Sequence, residues 1–221
     1  MIYAYVICEP ATAALAARRR GLGGATLRAL TRDGVAAIYS RHRRLQPRPT
    51  PEMVMAHERV VEAVMAHGAV LPLRFGTQLE DEDQLAAVLS ERRRDLLRAL
   101  DRVRGQVELG VRVIPEGDRQ SDSGIGEGSG REYLLARVSD HRSAQRAARE
   151  LHTPLAALAN ASVVRDRPGP PATLAAAYLV DAGREPDFRR RADELAARQD
   201  GLQVVVTGPW PPYSFAAEEQ Q

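Results

Sequence analysis

One order of predicted secondary-structure elements occurs twice along this chain of 221 residues. In the first half, apolar β-prone runs at residues 2–8, 25–30, 35–40 and 69–73 are separated by helical patterns at 12–20 and 51–67. Thr50 is the predicted N-cap of the second helix, and Pro51 is its first residue. Asp33-Gly34, between the second and third runs, is a strong hairpin signal because both residue types accept a left-handed backbone. The first half therefore predicts the order β-α-β-β-α-β.

The second half predicts the same order. Residues 107–113 alternate apolar and polar side chains like a half-buried strand, and further strand-like runs lie at 162–165, 173–181 and 202–206. Helices are predicted from Arg131, with a kink or break at Pro154, and from Pro186 to Gly201. We expect an α+β protein of two domains, residues 1–104 and 105–221. The second is predicted to be ferredoxin-like, and a helix at 83–103 is predicted to link them.

Composition restricts the class of protein. A hydrophobic content of 44% and a charged content of 27% are typical of a soluble globular protein, and no apolar run approaches the ~20 residues that span a bilayer. The only cysteine, Cys8, excludes an internal disulfide and favours a reducing compartment such as the cytoplasm. The net charge is only +2, and acidic residues are interleaved with basic ones. We therefore expect neither a nucleic-acid nor a membrane partner.

Residue types that carry chemistry form no recognisable site. His57 lies on the apolar stripe of its helix, which favours a hydrogen-bonded core histidine over a metal ligand, and the acids at 80–83 stand at a predicted helix start, where the helix dipole favours them. The glycines between 124 and 130 miss the G-x-G-x-x-G spacing of a dinucleotide loop. No nucleophile elbow or catalytic triad is recognisable. The sequence predicts no catalytic residue, no metal and no cofactor, and hence no enzyme.

The C-terminal tail concentrates aromatic residues in a chain that is only 5% aromatic. It contains Trp210, Tyr213 and Phe215, and the prolines at 209, 211 and 212 prevent the preceding strand from continuing. A stiff segment of this kind either folds back over the core of its own protein or presents rings to a partner, since rigid aromatic side chains are common interface anchors. Both interpretations stay open at this point.

A second unusual stretch is Val70-Leu71-Pro72-Leu73-Arg74-Phe75-Gly76-Thr77. A single arginine, Arg74, stands among apolar residues, and Gly76 indicates a tight turn. Either Arg74 is buried and bonded to backbone carbonyls or an acid, or it is presented to a carboxylate of a partner.

With these two stretches in hand, the chain resembles the gas vesicle protein GvpF/GvpL family. The sequences that carry the resemblance are those at 1–6, 70–77, 108–113, 130–134 and 208–215, and the stretches at 70–77 and 208–215 are the most specific. They span nearly the whole chain in order. Where the family has E-W-G-V-K, this chain has Leu109 and Arg112, so the family's tryptophan is missing there.

The resemblance implies a non-enzymatic accessory or minor structural protein of gas vesicle assembly, located in the cytoplasm and associated with the vesicle. Its implied partners are the very hydrophobic main shell protein and other gas vesicle accessory proteins. The residues expected to bind a partner are Arg74, Phe75, Trp210, Tyr213 and Phe215. The alternative function is a regulatory module in which a ferredoxin-like domain binds a small molecule.

Overall fold

A computed structural model describes residues 1–16, 19–44, 46–115, 149–165, 172, 174–199 and 201–216 of the protein. The chain forms two compact units: Met1–Val107 together with the segment that begins at Trp210, and Glu108–Pro209. The predicted domains, 1–104 and 105–221, stay a prediction. The compact units differ from them mainly in the tail, which groups with the first unit and not with the second.

The first unit contains five strands and four α-helices in its described residues. In chain order they are β1 (Ile2–Cys8), α1 (Pro10–Ala16), β2 (Leu27–Arg32), β3 (Val35–Arg41), α2 (Pro51–Met65), β4 (Val70–Pro72), β5 (Gln78–Leu79), α3 (Glu82–Glu91) and α4 (Arg93–Val103). The elements from β1 to β4 follow the predicted order β-α-β-β-α-β. The strand β5 was not predicted.

The sheet of the first unit has the order β2-β3-β1-β4, and β5 also pairs with β1. Each of these pairings is antiparallel. All seven residues of β1 are buried, as is typical of a strand that is covered on both faces and therefore has a continuous apolar sequence. The helix α2 packs on β1, α3 packs on β2, and α4 packs on β3 and β4.

A β-bulge at Tyr5 decides which side chains of β1 share a core. The pairing of β1 with β3 shifts by one residue between Ala4 and Val6, so Tyr5 is the extra residue. One extra residue exchanges the two faces of the strand beyond it. As a result Tyr3, Tyr5, Val6 and Cys8 all lie in one hydrophobic cluster with residues of α1 and α2.

The prediction of a single helix over 83–103 was wrong. The structure has two helices, α3 and α4, separated at Arg92, whose φ of −95° and ψ of 11° are not helical. Arg92 falls on the same stripe as Leu85, Leu89, Leu96 and Leu100, all of which are buried. An uninterrupted helix would bury the guanidinium among them, whereas the break leaves Arg92 exposed.

The described residues of the second unit form one sheet with helices. The elements are β6 (Gln106–Pro115), α5 (helical residues 149–156), β7 (Ala161–Val164), β8 (Leu174–Asp181), α6 (Glu185–Ala196) and β9 (Leu202–Trp210). The strand order β7-β8-β6-β9 repeats that of the first sheet when both are counted along the chain. The ferredoxin-like assignment of this half stays a prediction. The predicted glycine-rich loop, the start of the helix from Arg131, the sequence at 130–134 and the turn at 168–171 lie outside the described residues.

Candidate partner-binding surface

Three residues loop out between β4 and β5, the two strands that pair with the same edge of β1. Leu73 N donates to Tyr5 O at 2.9 Å, and Ala4 N donates to Thr77 O at 3.1 Å. Adjacent residues of β1 are therefore matched by residues 73 and 77, and residues 74–76 lie outside the pairing. We call Arg74, Phe75 and Gly76 the 74–76 loop. It separates β4 from β5, which both pair with β1.

Buried polar groups anchor both ends of this loop. The Gly76 amide donates to the Tyr3 hydroxyl at 3.0 Å, and Tyr3 is hydrogen-bonded to His57 Nδ1 at 2.9 Å. The other ring nitrogen, Nε2, lies 3.0 Å from Leu73 O. Thr77 closes the turn by donating its hydroxyl to Arg74 O at 2.7 Å. Gly76 has a φ of +93°, a backbone that glycine adopts without strain.

The contacts of His57 fix its protonation state. The Leu73 carbonyl can only accept, so Nε2 carries the proton, and Nδ1 accepts from Tyr3. Burial lowers the pKa of His57 to about 4, against a smaller opposing effect of the bond to Leu73. The ring is therefore neutral at physiological pH. The predicted hydrogen-bonded core histidine is confirmed, since His57 is fully buried.

Arg74 and Phe75 lie differently although they are neighbours. Arg74 is exposed, so its interpretation as a buried arginine was wrong. Its guanidinium has no hydrogen bond or ion pair with any other residue that the structure describes. Phe75 is half-buried, with its ring centroid 6.2 Å from that of Tyr3 and 5.9 Å from that of His57. Phe75 thus packs on the ring cluster beneath the loop, and Arg74 is left accessible.

The tail folds back onto the first unit and leaves one ring exposed. Pro211, Pro212 and Phe215 are buried, and Arg102 Nη2 donates to Phe215 O at 2.6 Å. Tyr213 is half-buried and donates its hydroxyl to Glu58 Oε1 at 2.8 Å. Trp210, by contrast, is 46% exposed. Of the three predicted aromatic contacts, Trp210 is the one that is exposed to a partner while the tail is in place.

The electrostatics of the Glu58–Tyr213 pair favour the observed hydrogen bond. Burial raises the pKa of Glu58, and the bond from Tyr213 partly offsets that rise. Burial also raises the pKa of Tyr213, which the hydrogen bond and charge of Glu58 raise further. At neutral pH the phenol is a donor and the carboxylate is an acceptor, so the tail is held by a charge-assisted hydrogen bond.

Neighbouring residues of α2 hold the two unusual stretches of the sequence. His57 holds the 74–76 loop through Leu73 and Tyr3, and Glu58 holds the tail through Tyr213. The Tyr3 phenol contributes to the raised pKa of Tyr213, so the two anchors are within electrostatic reach of each other. We call the exposed and half-buried residues Arg74, Phe75, Trp210 and Tyr213 the loop–tail surface. Their role in binding stays a prediction, as does that of the buried Phe215.

Sequence reasoning did not find Tyr3, Glu58 or Arg102. Tyr3 is hidden in an apolar strand, and the other two are charged residues on helix surfaces. The one usable signal was Tyr3, because a tyrosine inside a fully buried strand needs a hydrogen-bond partner for its hydroxyl.

An open cleft of about 400 Å³ lies in the first unit. It is lined by Met1, Ile2, residues 41–43 and residues 80–82. Its acids already serve the fold: Asp81 caps α3 by accepting from Gln84 N at 2.9 Å, and Glu82 accepts from Tyr39 and forms an ion pair with Arg41 at 2.7 Å. Asp81, Glu82 and Asp83 thus stand at the start of α3, as predicted, and Glu80 precedes its N-cap.

Other reactive groups in the described part of the chain are also held in structural roles. Burial raises the pKa of the Cys8 thiol to about 12, so it is not a thiolate nucleophile at neutral pH. Within the described residues, no group of three or more His, Cys, Asp or Glu side chains could hold a metal ion. In the same part of the chain, no helix has the length and apolar character needed to cross a bilayer.

Comparison with known proteins identifies the family. Residues 1–217 match the model of the gas vesicle synthesis protein GvpL/GvpF family. The chain belongs to this family. Gas vesicle protein L of a Streptomyces species is 33% identical, with 98% of this chain and 94% of the relative covered. Gas vesicle protein F2 of Halobacterium salinarum is 32% identical, with 97% and 91% covered.

Solved structures share the fold. The crystal structure of GvpF from an Anabaena species aligns with a TM-score of 0.80 at 18% identity, covering 99% of this chain and 97% of that one. GvpF from Microcystis aeruginosa aligns with a TM-score of 0.76 at 18% identity, covering 98% and 99%. The predicted α+β class is confirmed, and the chain is a gas vesicle protein of the F/L type with a role in vesicle assembly.

Proposed function

We propose that this protein is a non-enzymatic accessory or minor structural protein that binds the main gas vesicle shell protein during assembly. A very hydrophobic shell subunit must be kept from aggregating before it joins the wall, and a protein that covers its apolar surface would do so. The proposed location is the cytoplasm, in association with the vesicle. Other accessory proteins of the vesicle are further proposed partners.

The observation that carries this proposal is the exposure of Trp210. The tail around it is fixed, because Pro211, Pro212 and Phe215 are buried and Tyr213 is bonded to Glu58. A large ring on a fixed segment loses little conformational entropy when it is covered by a partner. An apolar ring that is 46% exposed beside such anchors suits an apolar partner surface.

A binding experiment with the purified shell protein tests the proposal. We expect the wild-type protein to retain immobilised shell protein, and Trp210→Ala to weaken binding about tenfold or more, the usual effect of removing an interface anchor. Trp210→Phe keeps an apolar ring and should lose less. Met55→Ala is a matched control, because Met55 is 54% exposed on α2 and belongs to neither of the two unusual stretches. No retention by wild type would refute the proposed function, and full retention by Trp210→Ala would refute the proposed contact.

A further inference from the structure

We propose that the 74–76 loop is a preformed receptor for a carboxylate side chain of the protein partner, with Arg74 as the contact and Tyr3 and His57 as positioning residues. This inference rests on the proposed function, since it names the chemistry that the loop–tail surface recognises beyond its apolar ring. The partner's contribution is an exposed Asp or Glu.

Pairing with β1 continues on both sides of the 74–76 loop. β4 and β5 both pair antiparallel with β1. The backbone pairing with β1 stops at Leu73 and resumes at Thr77. The loop leaves the Gly76 amide and the Leu73 carbonyl without strand partners. Tyr3 and His57, both buried, replace those lost partners.

The hydrogen bonds around the loop each have a defined direction. Gly76 donates to Tyr3, Tyr3 donates to His57 Nδ1, and His57 Nε2 donates to Leu73 O, so each proton has one acceptor. No member can change its role without leaving a buried group unpaired. Because such a network is rigid, it fixes the backbone on both sides of Arg74.

Arg74 is the exposed residue of the loop. It is exposed on this fixed backbone, and its guanidinium has no partner among the described residues. A guanidinium binds a carboxylate through two parallel hydrogen bonds, so fixing its backbone lowers the entropy that binding must overcome. A carboxylate is thus the ligand that suits the site.

A double-mutant cycle tests the inference through affinity for immobilised shell protein. Arg74→Gln should weaken binding about tenfold and reduce its dependence on salt. The affinity of Arg74→Lys should lie between those of wild type and Arg74→Gln, because lysine keeps the charge but lacks the two parallel donors of a guanidinium. Tyr3→Phe should weaken binding about threefold in the wild-type background and not at all in the Arg74→Gln background. An equal loss from Tyr3→Phe in both backgrounds, or wild-type affinity in Arg74→Gln, overturns the inference.

Tyr5→Phe is the matched control. Tyr5 is also a buried tyrosine of β1, but its hydroxyl accepts from Leu22 N and bonds Ser40, and it does not bond the loop. Both substitutions remove one buried hydroxyl from the same strand. We expect only Tyr3→Phe to change the affinity for the shell protein, and an equal effect of both would point to a general loss of stability and overturn the positioning role.

Hydrogen exchange on the isolated protein distinguishes a failure of the positioning role from a failure of the proposed function. Tyr3→Phe should speed exchange of the Gly76 amide about tenfold or more, while Tyr5→Phe and Arg74→Gln leave it unchanged. Unchanged Gly76 exchange in Tyr3→Phe overturns the positioning role even where the shell protein binds. Absence of wild-type binding overturns the proposed function and the carboxylate receptor together, whatever the exchange shows.

Discussion

At the scale of single residues, His57 has the most constrained chemistry in the first unit. Its ring stacks on Tyr5 with centroids 5.5 Å apart, and both of its nitrogens have partners in the core. A protonated ring would need two acceptors, but Tyr3 already uses its single proton toward Nδ1. Protonation of His57 therefore opposes the folded state.

This opposition predicts a pH dependence of stability. The pKa of His57 falls from 6.5 to about 4 on folding, so between these values the unfolded chain binds more protons than the folded one. The contribution of His57 is complete above about pH 6.5 and is lost as pH falls toward 4, by about 3 kcal/mol in total. Urea unfolding at about pH 7 and about pH 4 measures the fall.

His57→Gln is the comparison for that measurement, because glutamine does not titrate. The pKa values of His42 and His152 are also lowered by burial, and they act in the same direction in both proteins. The difference between wild type and variant therefore reports on His57. We expect the variant to be less stable at neutral pH but to lose less on acidification, and parallel pH profiles would contradict the assignment.

At the scale of elements, the start of α2 is defined by local capping, as the sequence predicts. Thr50 caps α2 by accepting from Met53 N, although at a long 3.4 Å, and Pro51 occupies the first turn. Asp81 caps α3 with a shorter bond to Gln84 N of 2.9 Å. Each cap requires only residues three positions apart, which is why the cap at Thr50 could be predicted.

The cap of α3 gives a prediction with a conservative control. Asp81→Ala should lower the free energy of unfolding by about 1 kcal/mol, because it leaves the Gln84 amide without its side-chain acceptor. Asp81→Asn keeps an acceptor oxygen and should lose only a few tenths of that amount. Urea unfolding of the three proteins measures both effects, and an equal loss in the two variants would mean that charge and not capping matters at this position.

The elements that sequence reasoning missed have particular physical causes. The strand β5 is only two residues long, so it has no alternating pattern to detect. The break at Arg92 and the bulge at Tyr5 depend on which side chains can pack against the neighbouring helices and strands. The strands and helices that were predicted have long apolar patterns, because each of them buries one face in the core of its unit.

At the scale of the whole molecule, the candidate surface joins segments far apart in the chain. Tyr3 and His57 are 54 positions apart, and Glu58 and Tyr213 are 155 apart. The unusual composition of both stretches could be recognised in the sequence, and Arg74 and Trp210 were found in that way. Their anchors could not be predicted, because strand register and the path of the tail decide those contacts.

Because the tail packs on the first unit, we expect its removal to lower the stability of the protein. Deleting residues 211–221 removes buried Pro211, Pro212 and Phe215 and the bonds to Glu58 and Arg102. We expect the free energy of unfolding to fall by about 3–5 kcal/mol, from lost apolar burial and hydrogen bonds. Thermal and urea unfolding measure the change.

The control for this deletion is Trp210→Ala, which removes an exposed ring and leaves the anchors in place. It should change the free energy of unfolding by less than about 1 kcal/mol. A truncated protein as stable as wild type would contradict the structural role of the tail. A large loss in Trp210→Ala would show that this ring is buried in solution.

Because pairing with β1 stops at Leu73 and resumes at Thr77, substitution at position 74 leaves the flanking strands in register. Phe75 must be kept, since its ring packs on Tyr3 and His57, and Gly76 must be kept for its positive φ. Libraries randomised at position 74 would therefore allow selection of variants with new partner preferences on an unaltered scaffold.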